Sequence, residues 1–572
     1  MASRESVGGI IERIPRKRVK RHYQCNTSAN ETNHSVNLPN DALDKILALL
    51  PIKKAMQIGI LSRRFNNSWI FSRRLDFDDE FARGHTTEDF ISFVNKVFDL
   101  HSSPTILSFR LFFDANGEQS LVEKWIKKSI EKGVEEIELC FYVIGNYFDG
   151  GPIRLISDVY DVESIKILKL NFCQLDLPPK PKGLQFLNTL VLKRIFVTPA
   201  LIDTLFQNCM FLETLDISQC YRIFHFKICT ANLKKFKVLK VGDCPEILSI
   251  EIDAPTLHSI HYRGHICFIK FTNIPKAKDV MLNFIPPKGF TETFLARDIV
   301  YDIHHIHVLT ITSTFLEGLT PKFVNGILKE MKFSFWNLKE FHLIMEGALY
   351  CNPYDIVSFI KNCQHLEKIF IDLNEFNFSS GSFWELHNRE PFEQCCVTLY
   401  SLRIIKLSGF KFQKDEILLV KFFLEKAPCL QKLVLITPKS RRVKVNTQNL
   451  EACHEYLKSW KSTRGAEIAV FEHSNDRSSV FPTHSKPSRE NLKPLNNIYR
   501  KIDPINLRSL TIKAHVEMKD KFVVDPVAFL ESRISMKFPW PQPRKVPNLL
   551  SQLFVRTYAI WRGHDDDFVD SA

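Results

Sequence analysis

The nine residues Leu212–Cys220 read LETLDISQC, with apolar residues at the first, fourth and sixth positions. The same pattern, again with Cys in ninth place, occurs in Ile165–Cys173 (IKILKLNFC) and in Phe236–Cys244 (FKVLKVGDC). Two further copies without the Cys begin at Leu187 and Leu257. Apolar residues two positions apart lie on the same side of a β-strand, so each copy predicts a short strand with one buried face.

The copies recur at a regular period. They start at residues 165, 187, 212, 236 and 257, so successive starts differ by 22, 25, 24 and 21 residues. This pattern at a period of about 20–29 residues is the signature of the leucine-rich repeat. Looser copies begin at Ile106, Val134, Ile306, Leu338, Leu366, Leu402 and Leu430. We therefore predict an α/β fold, a curved solenoid with parallel strands on the concave side and helices outside.

Two segments between repeats carry signals for the start of a helix. Ser120 and Glu123 have the spacing of a capping box, and the apolar stripe that follows them stops at Gly133. Thr198 has the position of an N-cap, and Pro199 that of the first helical residue. Both segments are predicted to be helices that connect strands.

The cysteines are predicted to be structural. Cys173, Cys220 and Cys244 lie where their strands end, and we interpret them as small buried residues rather than metal ligands or nucleophiles. The 14 cysteines include no CxxC pair, and the first 30 residues lack an apolar signal segment. These features are typical of a reduced intracellular chain.

Leu38–Trp69, ahead of the repeats, reads LPNDALDKILALLPIKKAMQIGILSRRFNNSW. One helix face is formed by Leu43, Ile46, Leu47 and Leu50, and Pro51 ends this helix. A second helix is predicted over Lys53–Leu61 and a third over Arg63–Phe71. About 35 residues are too few to bury all of this apolar surface among themselves. Either the rest of the chain or another protein must cover it.

The charge of the 572-residue chain is concentrated at its start. The net charge is +13, and residues 1–21 hold seven Lys or Arg against Glu5 and Glu12. Residues 1–35 are predicted to be a disordered basic arm. A basic cluster of this density indicates a nuclear-import signal. The alternative is a solvated basic arm that carries no targeting signal. The predicted compartment is the nucleus, with the cytoplasm as a second one. The cluster consists of Arg16, Lys17, Arg18, Lys20 and Arg21.

Motifs for catalysis, cofactors or metals are not found in the sequence. It has no GxGxxG, P-loop, HExxH, GxSxG or zinc-finger spacing. No run of about 18 apolar residues predicts a membrane span. We assign two groups of histidines to the polar positions of strands and the adjacent Cys395 and Cys396 to structure. The histidines are His304, His305 and His307, and His258, His261 and His265. We therefore expect no cofactor, no metal site and no enzymatic activity.

The N-terminal stretch resembles the F-box, most closely its plant form. Matching features are Leu38-Pro39, Leu50-Pro51, the run LSRR that begins at Leu61, and Trp69. Two positions depart from the family pattern. Asn40 stands where an acidic residue is usual, and Phe65 replaces a Trp.

A C-terminal stretch resembles the FBD region of plant F-box/leucine-rich-repeat proteins. Phe383–Leu435 carries the features of that region, namely Trp384, Pro391, Cys396, Gly409, Phe410 and Leu433. The predicted organisation is a basic arm over 1–35, a three-helix F-box over 36–80 and leucine-rich repeats over 100–385. An FBD-like region over 383–438 continues the solenoid, and 439–572 is an unassigned, largely linker-like tail.

The resemblance implies a function. An F-box docks onto a Skp-family adaptor and through it onto a cullin–RING ubiquitin ligase, and the repeats bind a protein substrate. The chain would then be a non-catalytic receptor subunit that acts by proximity. It would have no membrane partner, and nucleic acid is not expected as a partner. The adaptor-binding residues implied are Leu38, Pro39, Leu43, Ile46, Leu47, Leu50, Pro51, Ile52, Met56, Leu61, Ser62, Arg63, Arg64, Phe65 and Trp69.

Alternatives remain open at this point. The F-box-like residues could pack wholly against the first repeat. The chain could be a nuclear scaffold or a nucleic-acid-associated repeat protein that uses these helices for self-association, an idea motivated by the basic arm. An enzyme with a small-molecule site in the solenoid is a third class, although no sequence feature marks a pocket.

Overall fold

The fold was taken from a computed structural model of the chain. It describes residues 45–46, 49–61, 68–82, 86–114, 118–142, 152–178, 180–285, 295–319, 333–346, 351–374, 376–378, 397–439 and 466–485.

The described residues are organised around one long parallel sheet. Fifteen strands follow in the order β1-β2-β3-β5-β7-β8-β10-β12-β14-β15-β16-β17-β18-β19-β20, and their pairings are parallel. The strands are β1 (Arg74–Phe77), β2 (Ser108–Asp114), β3 (Glu136–Tyr142), β4 (Ile153–Arg154), β5 (Ile167–Asn171), β6 (Cys173–Gln174), β7 (Thr189–Lys193), β8 (Thr214–Ser218), β9 (His225–Cys229), β10 (Val238–Gly242), β11 (Ser249–Asp253), β12 (Ser259–Gly264), β13 (Phe268–Asn273), β14 (Asp279–Phe284), β15 (Val308–Thr312), β16 (Glu340–Ile344), β17 (Lys368–Asp372), β18 (Ile404–Ser408), β19 (Lys432–Ile436) and β20 (Glu467–Phe471).

One helix precedes β1, and the others lie in the connections between strands. The helices are α1 (Ile52–Leu61), α2 (Asp79–Ala82), α3 (Thr87–Leu100), α4 (Gln119–Glu131), α5 (Asp158–Asp161), α6 (Pro199–Asn208), α7 (Leu295–Ile303), α8 (Ser313–Leu319), α9 (Pro353–Ile360) and α10 (Lys414–Lys426). In the described parts of the chain no helix has both the length and the apolar character that a membrane crossing requires.

The core is a ladder of the apolar residues that define the repeat. In β8, Leu215 and Ile217 are fully buried, whereas Thr214 and Asp216 are half-buried on the other face. Leu215 pairs in register with its equivalents in the neighbouring strands, so one apolar row runs through successive repeats. A fully buried Leu or Ile contributes about 1.5–3 kcal/mol. This arrangement confirms the predicted parallel-strand solenoid.

The strand ends explain the recurring cysteine. Immediately after β5, β8 and β10, the residues Phe172, Gln219 and Asp243 have φ values of 60°, 55° and 51°. Each left-handed residue turns the chain so that the next residue, Cys173, Cys220 or Cys244, points into the core. The Cys220 thiol lies 3.4 Å from the Leu192 carbonyl oxygen, to which it donates. Burial raises the pKa of the Cys173 thiol, which suits a structural residue.

The side opposite the long sheet differs from the prediction in the middle repeats. Instead of helices, β9, β11 and β13 form a separate three-stranded parallel sheet. Ile250 and Ile252 of β11 are buried in the same core as Leu239. The repeats that start at residues 212 and 236 are 24 and 21 residues long, and in each a second short strand takes the place of the helix. The alternation in HFKIC (β9) and SIEID (β11) is the sequence signal of these strands.

Of the predicted helix-capping residues, some are confirmed and one is wrong. Thr198 caps α6 as predicted, since its Oγ1 accepts a hydrogen bond from the Leu201 N–H over 3.2 Å, with Pro199 in the first position. The capping box assigned to Ser120 is wrong, because α4 begins at Gln119, so that Ser120 is already inside the helix, and the N-cap, Glu118, makes no side-chain hydrogen bond to the helix. The predicted stop is right: Gly133 has a φ of 66° just after α4.

The folded repeat region extends beyond both of its predicted boundaries. The long sheet begins at β1, inside the stretch assigned to the F-box and well before residue 100. At the other end, β20 and residues 472–485 belong to the folded body, although the sequence interpretation placed them in an unassigned tail and a linker. The basic arm and residues 486–572 lie outside the described residues.

A buried ion pair lies in the part of the FBD-like region that the structure describes. Lys411, 1% exposed, donates through Nζ to the carbonyl oxygens of Leu373 (2.8 Å) and Phe376 (2.6 Å), and its Nζ lies 3.5 Å from Glu416. Burial lowers the pKa of Lys411 and raises that of Glu416. Gly409, two residues earlier, has a φ of 80°.

Candidate functional site

One face of the N-terminal module is anchored to the solenoid. Ile52 and Ala55 of α1 are fully buried, and Trp69 is 7% exposed. The Ser72 hydroxyl donates to the Leu50 carbonyl oxygen over 2.7 Å. Pro51 forms a parallel bridge with Arg74, the first residue of β1. Of the residues assigned to adaptor binding, Ile52 and Trp69 are therefore packed inside their own chain.

Apolar side chains on the other side of this module are exposed. Ile46, which was predicted to face an adaptor, is 48% exposed. Leu49 and Phe71 are 54% and 52% exposed, and the sequence interpretation included neither. Leu50 and Met56 are half-buried against the core. The predicted single apolar face is thus divided between the chain's own core and an exposed surface.

Several predicted residues lie outside what the structure describes. Leu38, Pro39, Leu43, Leu47, Ser62, Arg63, Arg64 and Phe65 are in this group, as are all five residues of the basic cluster. Leu61 ends α1, but the position of its side chain is not described.

The second candidate surface is the open face of the long sheet, meaning the face that points away from the core. At its N-terminal end it carries a network of charges on β2, β3 and β5. Arg110 Nε lies 3.0 Å from Glu138, and Lys169 Nζ lies 2.8 Å from Glu136. Lys169 Nζ also lies 3.4 Å from Glu138. These side chains are between 15% and 36% exposed, so this half of the open face is polar and accessible.

The C-terminal half of the open face is covered. Along the middle row of the sheet, Met281, Thr310, His342, Phe370, Lys406 and Val434 pair in register from β14 to β19. All six are at most 5% exposed, although they point away from the repeat core. The equivalent residues of β8 and β10, Asp216 and Lys240, are only half-buried.

The cover is made by residues 472–485, which we call the strap. It follows β20 and contacts one strand after another along the sheet. Lys406 of β18 is its main anchor: Nζ lies 2.6 Å from Asp476, 3.0 Å from the Ser478 hydroxyl and 2.7 Å from the Val480 carbonyl oxygen. Further along, the Thr483 N–H donates to Glu340 of β16 over 2.6 Å.

The strap ends at a compact polar cluster. His484, 4% exposed, places Nε2 3.0 Å from Asp279 Oδ1, and its Nδ1 lies 2.9 Å from the Thr310 hydroxyl. His261 Nε2 lies 3.6 Å from the same Asp279 oxygen. Burial would raise the pKa of Asp279, but its interactions with His261, His484 and Ser259 outweigh burial and lower the pKa well below its usual range.

This cluster was missed in the sequence. His261 was interpreted as an ordinary polar strand residue, and His484 fell in a predicted linker. The two lie 223 positions apart, and no short motif joins them. In contrast, His304 and His305 each contact a backbone carbonyl oxygen, that of Tyr301 (2.7 Å) and that of Ile274 (3.1 Å), as expected of structural residues.

Comparison with known proteins adds the family. The family model for the leucine-rich-repeat domain of At1g61320/AtMIF1 matches residues 97–474. The chain belongs to this family. This leucine-rich-repeat family match covers the repeats, the FBD-like region and β20, but only the first residues of the strap.

This leucine-rich-repeat protein is similar to several proteins of Arabidopsis thaliana. It is 30% identical to the FBD-associated F-box protein At1g61320 over 445 residues. The aligned region covers 76% of the chain and 95% of that protein. It is 24% identical to F-box/LRR-repeat protein 13, over 73% of the chain and 92% of that protein. F-box/FBD/LRR-repeat protein At1g78750 is also 24% identical, over 71% of the chain and 90% of that protein. The resemblance to F-box, repeat and FBD proteins is confirmed.

Proposed function

We propose that this protein is the substrate-recognition subunit of a Skp–cullin–F-box ubiquitin ligase. The observation that carries the proposal is the divided N-terminal module. One side is buried against β1, while Ile46 and Leu49 of the other side are exposed. Its relatives are named F-box proteins. An exposed apolar helical surface of this kind is suited to docking a partner subunit.

The anchored side gives the proposed complex a fixed geometry. The bridge between Pro51 and Arg74 and the hydrogen bond from Ser72 to Leu50 join the module directly to the first strand. An adaptor docked on the exposed side would therefore be held at a defined position relative to the repeats. The protein would contribute proximity, because a substrate held near a ubiquitin-charged enzyme reacts with a high effective concentration.

The accessible half of the open face is the proposed substrate surface. It extends from β1 to β10, where the strap does not reach, and carries Arg110, Glu138 and Lys169. A protein segment with charges of both signs would complement it, and such complementarity favours specificity over raw affinity. The basic cluster of the N-terminal arm is proposed to bring the protein to the nucleus.

Co-purification with a Skp-family adaptor tests the proposal. Ile46→Asp should abolish adaptor binding, because a carboxylate would be buried at the interface. Met210→Asp is the matched control, since Met210 is 46% exposed but lies among the repeats. A Leu38→Ala, Pro39→Ala double variant should also lose the adaptor. Equal adaptor recovery with wild type, Ile46→Asp and the double variant would refute the docking model.

A further inference from the structure

The end of the strap brings three metal-binding side chains together. His261 lies on β12, Asp279 on β14, and His484 on the strap, and their potential ligand atoms all lie within 4.8 Å of one another. No other such group occurs among the residues that the structure describes. We infer that His261, Asp279 and His484 form a Zn²⁺ site that fastens the strap to the open face of the sheet.

The distances between the ligand atoms suit a single small cation. Zn²⁺ binds imidazole nitrogen at about 2.0–2.1 Å and carboxylate oxygen at about 2.0–2.2 Å. In a tetrahedral site, neighbouring ligand atoms are then about 3.3–3.5 Å apart. The Nε2 atoms of His484 and His261 lie 3.0 Å and 3.6 Å from Asp279 Oδ1, on either side of this range. Shifts of a few tenths of an ångström would bring both of these distances into the range.

Neighbouring residues are placed to orient these ligands. A histidine that binds a metal through Nε2 usually donates its Nδ1–H to an oxygen. The Thr310 hydroxyl lies 2.9 Å from Nδ1 of His484 and can accept that proton. The Ser259 hydroxyl lies 2.5 Å from Asp279 Oδ1 and can donate to the carboxylate. The ring planes of His261 and His484 are inclined at 78°, so the two rings do not stack on each other.

The donor set selects the class of metal. Two imidazoles and one carboxylate are typical ligands of Zn²⁺ and also of Fe²⁺, whereas Mg²⁺ and Ca²⁺ prefer a shell made of oxygen. With three protein ligands, the fourth position would take a water molecule. His484 of the strap is 4% exposed, and the side chains of His261 and Asp279 are 27% and 23% exposed, so the site lies at the edge of the strap and is open to that water.

The consequence is a link between distant parts of the chain. His484 and Asp279 are 205 residues apart in the sequence. A metal bound to both would pin the far end of the strap, while Lys406 holds its middle through Asp476. Loss of the metal would release the segment nearest β12 first. The inference is independent of ubiquitin-ligase function.

Metal binding to the full-length protein tests the inference. After treatment with EDTA and dialysis, Zn²⁺ is added in a calorimetric titration and Co²⁺ in an absorption titration. One equivalent should bind at micromolar concentration or tighter. The Co²⁺ complex should show visible bands of tetrahedral coordination, without the thiolate charge-transfer band that a cysteine site would give.

Variants locate the site. His484→Gln and Asp279→Asn should each weaken Zn²⁺ binding at least tenfold, consistent with loss of a direct ligand. His473→Gln is the matched control, because His473 is an exposed histidine of the same strap; its affinity should be unchanged. Thermal unfolding before metal is added identifies any variant that does not fold. The two substitutions lie on different elements, β14 and the strap, so a folding defect in one variant leaves the other as a test.

Hydrogen–deuterium exchange supplies the second readout. Zn²⁺ should slow exchange in residues 478–485 of the wild type and of His473→Gln, but not in His484→Gln. The inference is overturned if the wild type binds no Zn²⁺ under these conditions. It is also overturned if His484→Gln and Asp279→Asn both bind as tightly as the wild type, since the cluster would then be held by hydrogen bonds alone.

Discussion

Lys406 and Asp476 form an ion pair with 2.6 Å between Nζ and Oδ2, although 70 residues separate them in the chain. Lys406 is 5% exposed, and Phe370 and Val434 are its neighbours in the same row of the sheet. A buried ammonium group between apolar neighbours requires compensation. The strap provides it through a carboxylate, a hydroxyl and a carbonyl oxygen.

Removal of this carboxylate should loosen the strap. Asp476→Ala leaves the Lys406 ammonium without its counter-ion, and we expect the local opening of residues 472–485 to become easier by about 1–3 kcal/mol. Hydrogen–deuterium exchange of the strap amides measures this change. Glu472→Ala, at an exposed position of the strap, is the control and should exchange as the wild type does. Unchanged protection in Asp476→Ala would show that this ion pair does not hold the strap.

A buried histidine makes the junction of the N-terminal module sensitive to pH. His101 Nε2 donates to the Ser72 carbonyl oxygen over 2.8 Å, and its Nδ1 lies 2.8 Å from Lys132 Nζ, from which it can accept. Burial lowers the pKa of His101, and the Lys132 charge adds to this effect. The folded state therefore favours the neutral imidazole.

The sign of the effect follows from linkage. The folded-state pKa of His101 lies below that of the unfolded chain, about 6.5. Its contribution to stability is complete above pH 6.5 and is lost as the pH falls toward the folded-state pKa. Urea unfolding between pH 7.5 and 5.5 should show a shallower decline for His101→Gln than for the wild type. His304→Gln, at an exposed position, should decline as the wild type does.

Two glycines of positive φ should respond differently to alanine. At Gly409, with a φ of 80°, a Cβ atom would lie 2.4 Å from the Asn374 backbone nitrogen. At Gly133, with a φ of 66°, a Cβ atom would meet nothing within 4 Å. We expect Gly133→Ala to cost about 1 kcal/mol, from the left-handed conformation alone. Gly409→Ala should cost about 3 kcal/mol or more, because backbone must also move. Chemical unfolding of both variants gives the comparison, and equal losses would contradict it.

The repeat ladder predicts the cost of a cavity. Leu215 is fully buried and pairs with Leu190 and Leu239 on either side. Leu215→Ala should destabilise the protein by about 2–5 kcal/mol. Met210→Ala, at an exposed site in the preceding repeat, should change stability by about 0.5 kcal/mol or less. The free energy of unfolding from urea titration of the two variants tests this contrast. If Leu215→Ala lowers the free energy of unfolding no more than Met210→Ala does, the row of buried apolar residues does not stabilise the core.

The sequence alone determined the repeat architecture. The apolar triplets that begin at Ile165, Leu212 and Phe236 mark strands because alternation is a local property of a strand and repeats with the period of the fold. It also identified α1 to within one residue and the structural role of Cys220. These features depend on neighbours that are close in the chain or in the next repeat.

Only the tertiary structure decided how the surfaces are used. It buried Ile52 and exposed Ile46, although both belong to the same predicted apolar surface, because β1 covers one side of the module. It placed the strap on the open face and brought His484 to Asp279. Those contacts join residues 70 to 205 positions apart, and no local pattern encodes which distant segments will meet, since that depends on how the complete stack of repeats presents its surface.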